Sequence, residues 1–144
     1  MIGEAAKDNY IQLAVESKDE SMNYDEFNKF CGGLTATTYV VQWGNSHVWK
    51  VGGKVFAIGG WGKDNQPAFT FKTSEQNFYF LSECEGYIPA PYFANRGMKW
   101  IQKVDCDNQT DEDLRYYITQ SHNLVSLGLT KRKQKELGLN QAPS

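Results

Sequence analysis

Six cations stand where an anionic partner could be held. Lys50, Lys54, Lys72, Arg96, Lys99 and Lys103 fall on or beside segments that read as β-strands. Gathered on one face of a sheet, they could neutralise the phosphates of a nucleic acid, with Trp61 or Tyr92 free to stack on a base. The competing reading is a solvated strand edge, where lysine discourages strand-to-strand aggregation. The basic run Lys131-Arg132-Lys133 reads more simply as a solvated helix face.

The charge pattern bears on this choice. Net charge is −2, and the sequence pI is near 5.7. Residues 37–104 nevertheless hold seven cations against four acids, while residues 1–30 hold three lysines against seven acids. The middle of the chain is thus mildly basic inside an acidic whole. That leaves room for a local anionic partner without the strongly basic character of a dedicated nucleic-acid binder.

Other chemistries find less support. The two histidines, His47 and His122, lack metal-ligand spacing, and His47 reads as a packed histidine. Three widely spaced cysteines (Cys31, Cys84 and Cys106) fit a reduced, cytoplasmic protein without a disulfide framework. No nucleophile–base–acid constellation emerges, so an enzyme is the least favoured class, and neither a cofactor nor a metal site is expected. The acids Asp105, Asp107, Asp111, Glu112 and Asp113 read as a turn followed by a helix start. Gly52-Gly53, Gly59-Gly60 and Gly62 read as turn residues, because no helix opens after them to complete a phosphate loop. No apolar run is long enough to span a bilayer, and nothing at the start reads as a signal peptide.

The elements that must position the cations follow from pattern. Residues 1–21 are polar and acidic and read as a poorly ordered extension. Asn23 with Glu26 forms a capping-box start for a helix carrying Tyr24, Phe27 and Phe30 inward, stopped by Gly32-Gly33 through a left-handed glycine. Residues 38–43 read as a strand. The run from His47 to Ile58 then reads as a hairpin around Gly52-Gly53, with Val51 opposite Lys54 and Trp49 opposite Phe56. Residues 68–72 form a further strand with Phe69 and Phe71 on one side.

Thr73 with Gln76 predicts the start of a second helix running to about Glu83, and residues 88–91 read as extended. Residues 98–104 read as a late strand, with Trp100, Gln102 and Val104 on one face and Lys99, Ile101 and Lys103 on the other. Thr110 with Asp113 predicts the cap of a long helix bearing Leu114, Tyr117, Ile118, Ser121, Leu124 and Val125 inward. Thr130 opens a short basic helix closed by Gly138. The sum is an α+β fold: an antiparallel sheet of about five strands with helices covering one face. A domain is expected over residues 22–139, followed by a short tail, 140–144.

Several of these words occur together in a known family. Trp43-Gly44, then Val48-Trp49-Lys50-Val51-Gly52-Gly53-Lys54-Val55-Phe56-Ala57, then Phe71-Lys72, then Asn95-Arg96 ahead of Trp100, then Ser121-His122-Asn123-Leu124-Val125, resemble in order and spacing the MmcQ/YjbR family. Two departures stand out. Arg96 occupies a place where lysine is usual, and the gap to Trp100 is longer by one residue. The resemblance implies a two-layer CyaY-like fold, like that of bacterial frataxin, and a double-wing motif in which two β-hairpins flank a DNA groove. It therefore points to DNA as the partner, with the six cations as candidate contacts. An unidentified protein partner on a frataxin-like scaffold is the alternative. Weak iron binding through the acidic cluster is a third reading.

Overall fold

The computed structural model describes residues 22–63, 66–104 and 111–142, with the side chains of residues 111–112 excluded. The extension 1–21 and the predicted cap at Thr110 lie outside the described residues. Helix α1 (Tyr24–Gly32) is followed by strands β1 (Thr37–Gln42), β2 (Ser46–Val51), β3 (Lys54–Gly59) and β4 (Ala68–Lys72). Helix α2 (Glu75–Ser82), strand β5 (Tyr87–Pro89), a 3-10 turn (Ala94–Arg96), strand β6 (Trp100–Val104) and helices α3 (Asp111–Leu127) and α4 (Lys131–Glu136) complete the chain. The strands form one antiparallel sheet in the order β1-β2-β3-β4-β6-β5.

Capping chemistry explains the helix starts. The Asn23 side chain accepts from the Glu26 amide, and Thr130 accepts from the Lys133 amide, each satisfying an otherwise unpaired donor of the first turn. The second helix starts one residue later than its sequence suggests. Ser74, not Thr73, caps α2 by accepting from Asn77, while the Thr73 hydroxyl donates to the Lys99 carbonyl across the sheet end. Gly33 closes α1 at a φ of −82°, so this end needs no left-handed residue.

Among the described residues the sheet has six strands, in keeping with the expected antiparallel sheet of about five. The extra one is β5, whose three residues pair with β6 at the sheet margin. Pro89 is tolerated there because one side of an edge strand needs no amide donor. The late strand begins at Trp100, two residues beyond its predicted start.

A β-bulge alters the central hairpin. Val51 faces Lys54 as expected, but Trp49 pairs with Ala57 and Lys50 with Val55, which leaves Phe56 as the extra residue. A bulge brings consecutive side chains toward one side of the ribbon. Phe56 and Ala57 accordingly both join the core with Trp49. That core lies between the sheet and the helices, built on Phe27, Val51, Phe56, Phe69, Phe71, Ile101, Leu114 and Ile118.

The bulge leaves a gap in the β3–β4 ladder, whose pairing stops at Ala57 and Phe71. The hydroxyl of Ser121 on α3 fills it. Its Oγ donates to the Phe56 carbonyl at 2.6 Å and accepts from the Lys72 amide at 2.8 Å.

The opposite sheet face is also covered, but by loops. The register puts Val48, Ile58, Thr70, Trp100 and Gln102 on that face, and all five are buried. Residues 60–63 reach it from the Ala68 end of β4. Residues 90–98 reach it from the Lys72 end, where Phe93 stacks on Trp100 with ring centroids 4.5 Å apart. The Gln102 side chain donates to the Trp61 carbonyl at 3.4 Å, and Trp61 meets Phe93 at 5.9 Å.

The turn between β2 and β3 uses two glycines differently. Gly52 and Gly53 have φ of +58° and +84°, the backbone of a primed hairpin turn. A Cβ on Gly53 meets nothing within 4 Å, whereas one on Gly52 falls 2.5 Å from Leu129 Cδ1. Gly53→Ala is therefore expected to cost about 1 kcal/mol for the left-handed backbone alone. Gly52→Ala should cost roughly 2–3 kcal/mol, because Leu129 must also move. Urea unfolding of the two variants side by side measures the difference.

Candidate nucleic-acid interface

The alternation of β-strand side chains decides where each candidate cation points. Lys50 pairs with Val55, and Lys72 with Trp100, on the loop-covered face. Both are half-buried. Lys54 pairs with Val51 and so belongs to the other side of the hairpin, exposed at its tip. The two lysines flanking the Gly52-Gly53 turn therefore project to opposite sides of the ribbon.

Lys99 and Lys103 follow Ile101 toward the helices. Lys99 Nζ lies 3.3 Å from the Tyr79 hydroxyl and 5.0 Å from the ring centroids of both Phe78 and Tyr79, a cation–π cradle on α2. Lys103 is 3% exposed, opposite Phe69 on one side and Tyr87 on the other. The expected role of Lys103 as a DNA contact is thus corrected: a side chain closed off from solvent cannot reach a phosphate. Its face was legible from Ile101, the apolar residue that marks that side as core.

Arg96 is exposed on the 3-10 turn that follows Phe93, and Phe93 lies on the loop-covered face through its stack on Trp100. Lys63, exposed two residues after Trp61, adds a cation to the other covering loop. The structure thus brings Lys50, Lys72, Arg96 and Lys63 to the elements of one face, and assigns Lys54, Lys99 and Lys103 elsewhere.

That same face carries aromatic rings. Trp61 sits between Trp43 at 5.8 Å and Tyr92 at 5.7 Å. Trp43 is 49% and Tyr92 69% exposed. Trp61 and Tyr92 were candidates from sequence; Trp43 was missed because it read as the last residue of a strand. It follows β1 instead, at the turn into β2.

His47 is held by its neighbours. Asn28 accepts from Trp49 Nε1 at 2.9 Å, and its amide donates to His47 Nδ1 at 3.3 Å. The Tyr39 hydroxyl is 2.7 Å from the same nitrogen. A cavity of about 290 Å³, lined by Thr35, His122, Asn123 and Asn140 among others, touches none of the six candidate cations. Among the described residues no three His, Cys, Asp or Glu side chains come together as a metal group. Asp105 and Asp107, and the side chains of Asp111 and Glu112, lie outside the described residues. No helix among the described residues is long and apolar enough to cross a membrane.

Burial pushes the Cys31 thiol far above its usual range, which disfavours its nucleophilic thiolate form. Tyr117 is also pushed up, first by burial and then by Asp113, Tyr116 and Cys84 nearby.

Comparison with known proteins agrees with this architecture. The YjbR family model matches residues 32–124, well over half of the chain. The chain belongs to the YjbR family. Among solved structures, the Deinococcus radiodurans protein DR2400, which carries the DUF419 domain, is similar at a TM-score of 0.71 and 21% identity, over 85% of this chain and 92% of that one. A Pseudomonas syringae protein is similar at a TM-score of 0.58 and 17% identity, over 72% of this chain and 98% of that one. At these identities the likeness establishes the α+β fold. No curated protein matches the sequence.

Removing the Ser121 hydroxyl strands the Lys72 amide and the Phe56 carbonyl. Ser121→Ala is expected to destabilise the protein by about 2–4 kcal/mol, since each unpaired buried group costs roughly 1–3 kcal/mol. The Lys72 amide should lose protection from hydrogen exchange. For Cys31, the unfolded thiol ionises from about pH 8.5 while the folded one stays protonated. The stability due to its raised pKa is therefore whole below that pH and lost above it. The alkaline decline in unfolding free energy should be shallower in Cys31→Ala, by about 1.4 kcal/mol per pH unit.

Proposed function

We propose that this YjbR-family chain is a non-enzymatic DNA-binding protein of a reducing, cytoplasmic compartment. In this reading Lys50, Lys72 and Arg96 contact the phosphate backbone, joined by Lys63. The observation that supports it is that these cations lie on the elements of one sheet face that also carries exposed aromatic rings. Phosphate neutralisation needs no deep pocket, only cations spaced along a surface that the backbone can follow. The buried, high-pKa thiol of Cys31 supports the non-enzymatic part. With Lys50 and Lys54 on opposite sides, one hairpin tip offers a single charge per side.

A second reading has its own observation. Tyr79 and Phe80 are more than half exposed on consecutive positions of α2, on the helical side of the molecule. Large exposed rings of this kind suit a protein partner, and the scaffold would then serve as an adaptor.

Fluorescence anisotropy with labelled DNA, in single-stranded and duplex form, at low and rising salt, tests the proposal. Four contacting cations predict a slope of log affinity against log salt of roughly −3 to −4. Replacing Lys50, Lys72 and Arg96 together by alanine should flatten that slope, and Lys54→Ala should leave it unchanged. Absence of binding to both forms at low salt, or a triple variant that binds like the parent, overturns the proposal.

A further inference from the structure

Trp43, Trp61 and Tyr92 share an unusual backbone. Their φ angles are +53°, +67° and +73°, a left-handed conformation that costs an L-residue with a bulky side chain and that glycine or asparagine adopts readily. All three lie outside the strands, in turns and loops where such small residues are common. Three neighbouring aromatic residues in a strained backbone form a row of rings on one surface, held from beneath by the Phe93–Trp100 stack and by the Gln102 bond to the Trp61 carbonyl. The two outer rings, Trp43 and Tyr92, remain open to solvent. Gly62 leaves room next to the central residue: a Cβ there would collide with the Gln66 carbonyl oxygen, so the backbone passes close behind Trp61. Strain retained by surrounding structure concentrates at functional positions.

We propose that this row is a stacking platform for unpaired bases, and that the nucleic acid this protein prefers is single-stranded DNA. The inference rests on the DNA-binding reading above and narrows its substrate. In a duplex the faces of the bases are covered by their neighbours, so exposed rings gain nothing from them. In a single strand each base has a free π-face, and stacking on an aromatic side chain tolerates any sequence. Charge complementarity fits the same occupant. Lys63 follows Trp61 on one covering loop, Arg96 follows Tyr92 on the other, and Lys50 and Lys72 lie on strands of that face. Cations on the face that bears the rings let a backbone run past while its bases turn inward. The distribution of lysines argues against a duplex clamped between wings, because the Gly52-Gly53 hairpin divides its two lysines between opposite sides.

The test compares labelled oligothymidylate with a duplex of equal length at low salt. The single strand is expected to bind at least tenfold more tightly, with quenching of tryptophan fluorescence. Trp43→Asn and Tyr92→Asn, which suit a left-handed backbone, should each weaken single-strand binding by roughly 5- to 100-fold, leaving duplex affinity and the salt slope unchanged. Tyr92→Phe keeps the ring and should retain binding. Melting temperatures of both asparagine variants should equal or exceed that of the parent, because backbone strain is relieved. Equal affinity for the two forms with neutral asparagine variants overturns the stacking platform while leaving DNA binding in place. Asparagine variants that melt far below the parent make the rings structural and also overturn it. No binding to either form at low salt removes both readings.

Discussion

One hydroxyl holds the centre of this fold together. The β-bulge at Phe56 moves the chain out of register with β4, and without a substitute it would leave a carbonyl and an amide unpaired inside the protein. Ser121, buried on α3, donates to the carbonyl and accepts from the amide. The interaction joins three elements at one atom. It fixes the depth of α3 against the sheet and the end of β4, and therefore the position from which Lys72 emerges. The bulge in turn brings Phe56 and Ala57 to the helix side. Core packing, sheet closure and the placement of one cation depend on a group that a volume-based view of the core would overlook.

Much of the fold was legible because local chemistry left few alternatives. Gly52-Gly53 between two β-prone runs fixes a tight hairpin. Asn23 and Thr130 announce helix starts through donors that need an acceptor. What was not legible depended on pattern alone. Residues 55–58 (Val-Phe-Ala-Ile) are all apolar, so no alternation reveals that Phe56 is an inserted residue. The strand β5 is too short for its period to register. The covering loops have no period, and only their contacts show that Trp61 and Phe93 form a second layer.

The candidate surface illustrates the same division. Sequence supplied its ingredients, cations and rings, but treated six cations as one set. Period-2 geometry separates them: Lys50 and Lys72 to the loop-covered face, Lys99 to a cradle of two rings on α2, and Lys103 into the interior. A face that seems bare in a two-layer fold is instead roofed by aromatic loops. Its chemistry is therefore partly apolar, and this distinguishes it from a purely electrostatic contact surface.

The bridge at Ser121 also bears on the order in which the protein assembles. Ser121 lies 65 residues beyond Phe56 in sequence. Hairpins such as β2–β3 close over a few residues and can form early, at low entropic cost. The bridge that extends the β3–β4 ladder past Ala57 and Phe71 cannot form until α3 has been synthesised and docked. On the ribosome, the end of the β3–β4 seam at Phe56 and Lys72 must wait unbridged, and docking of α3 is the event that seals it. A topology with mostly neighbouring strands thus acquires a late, long-range closing step.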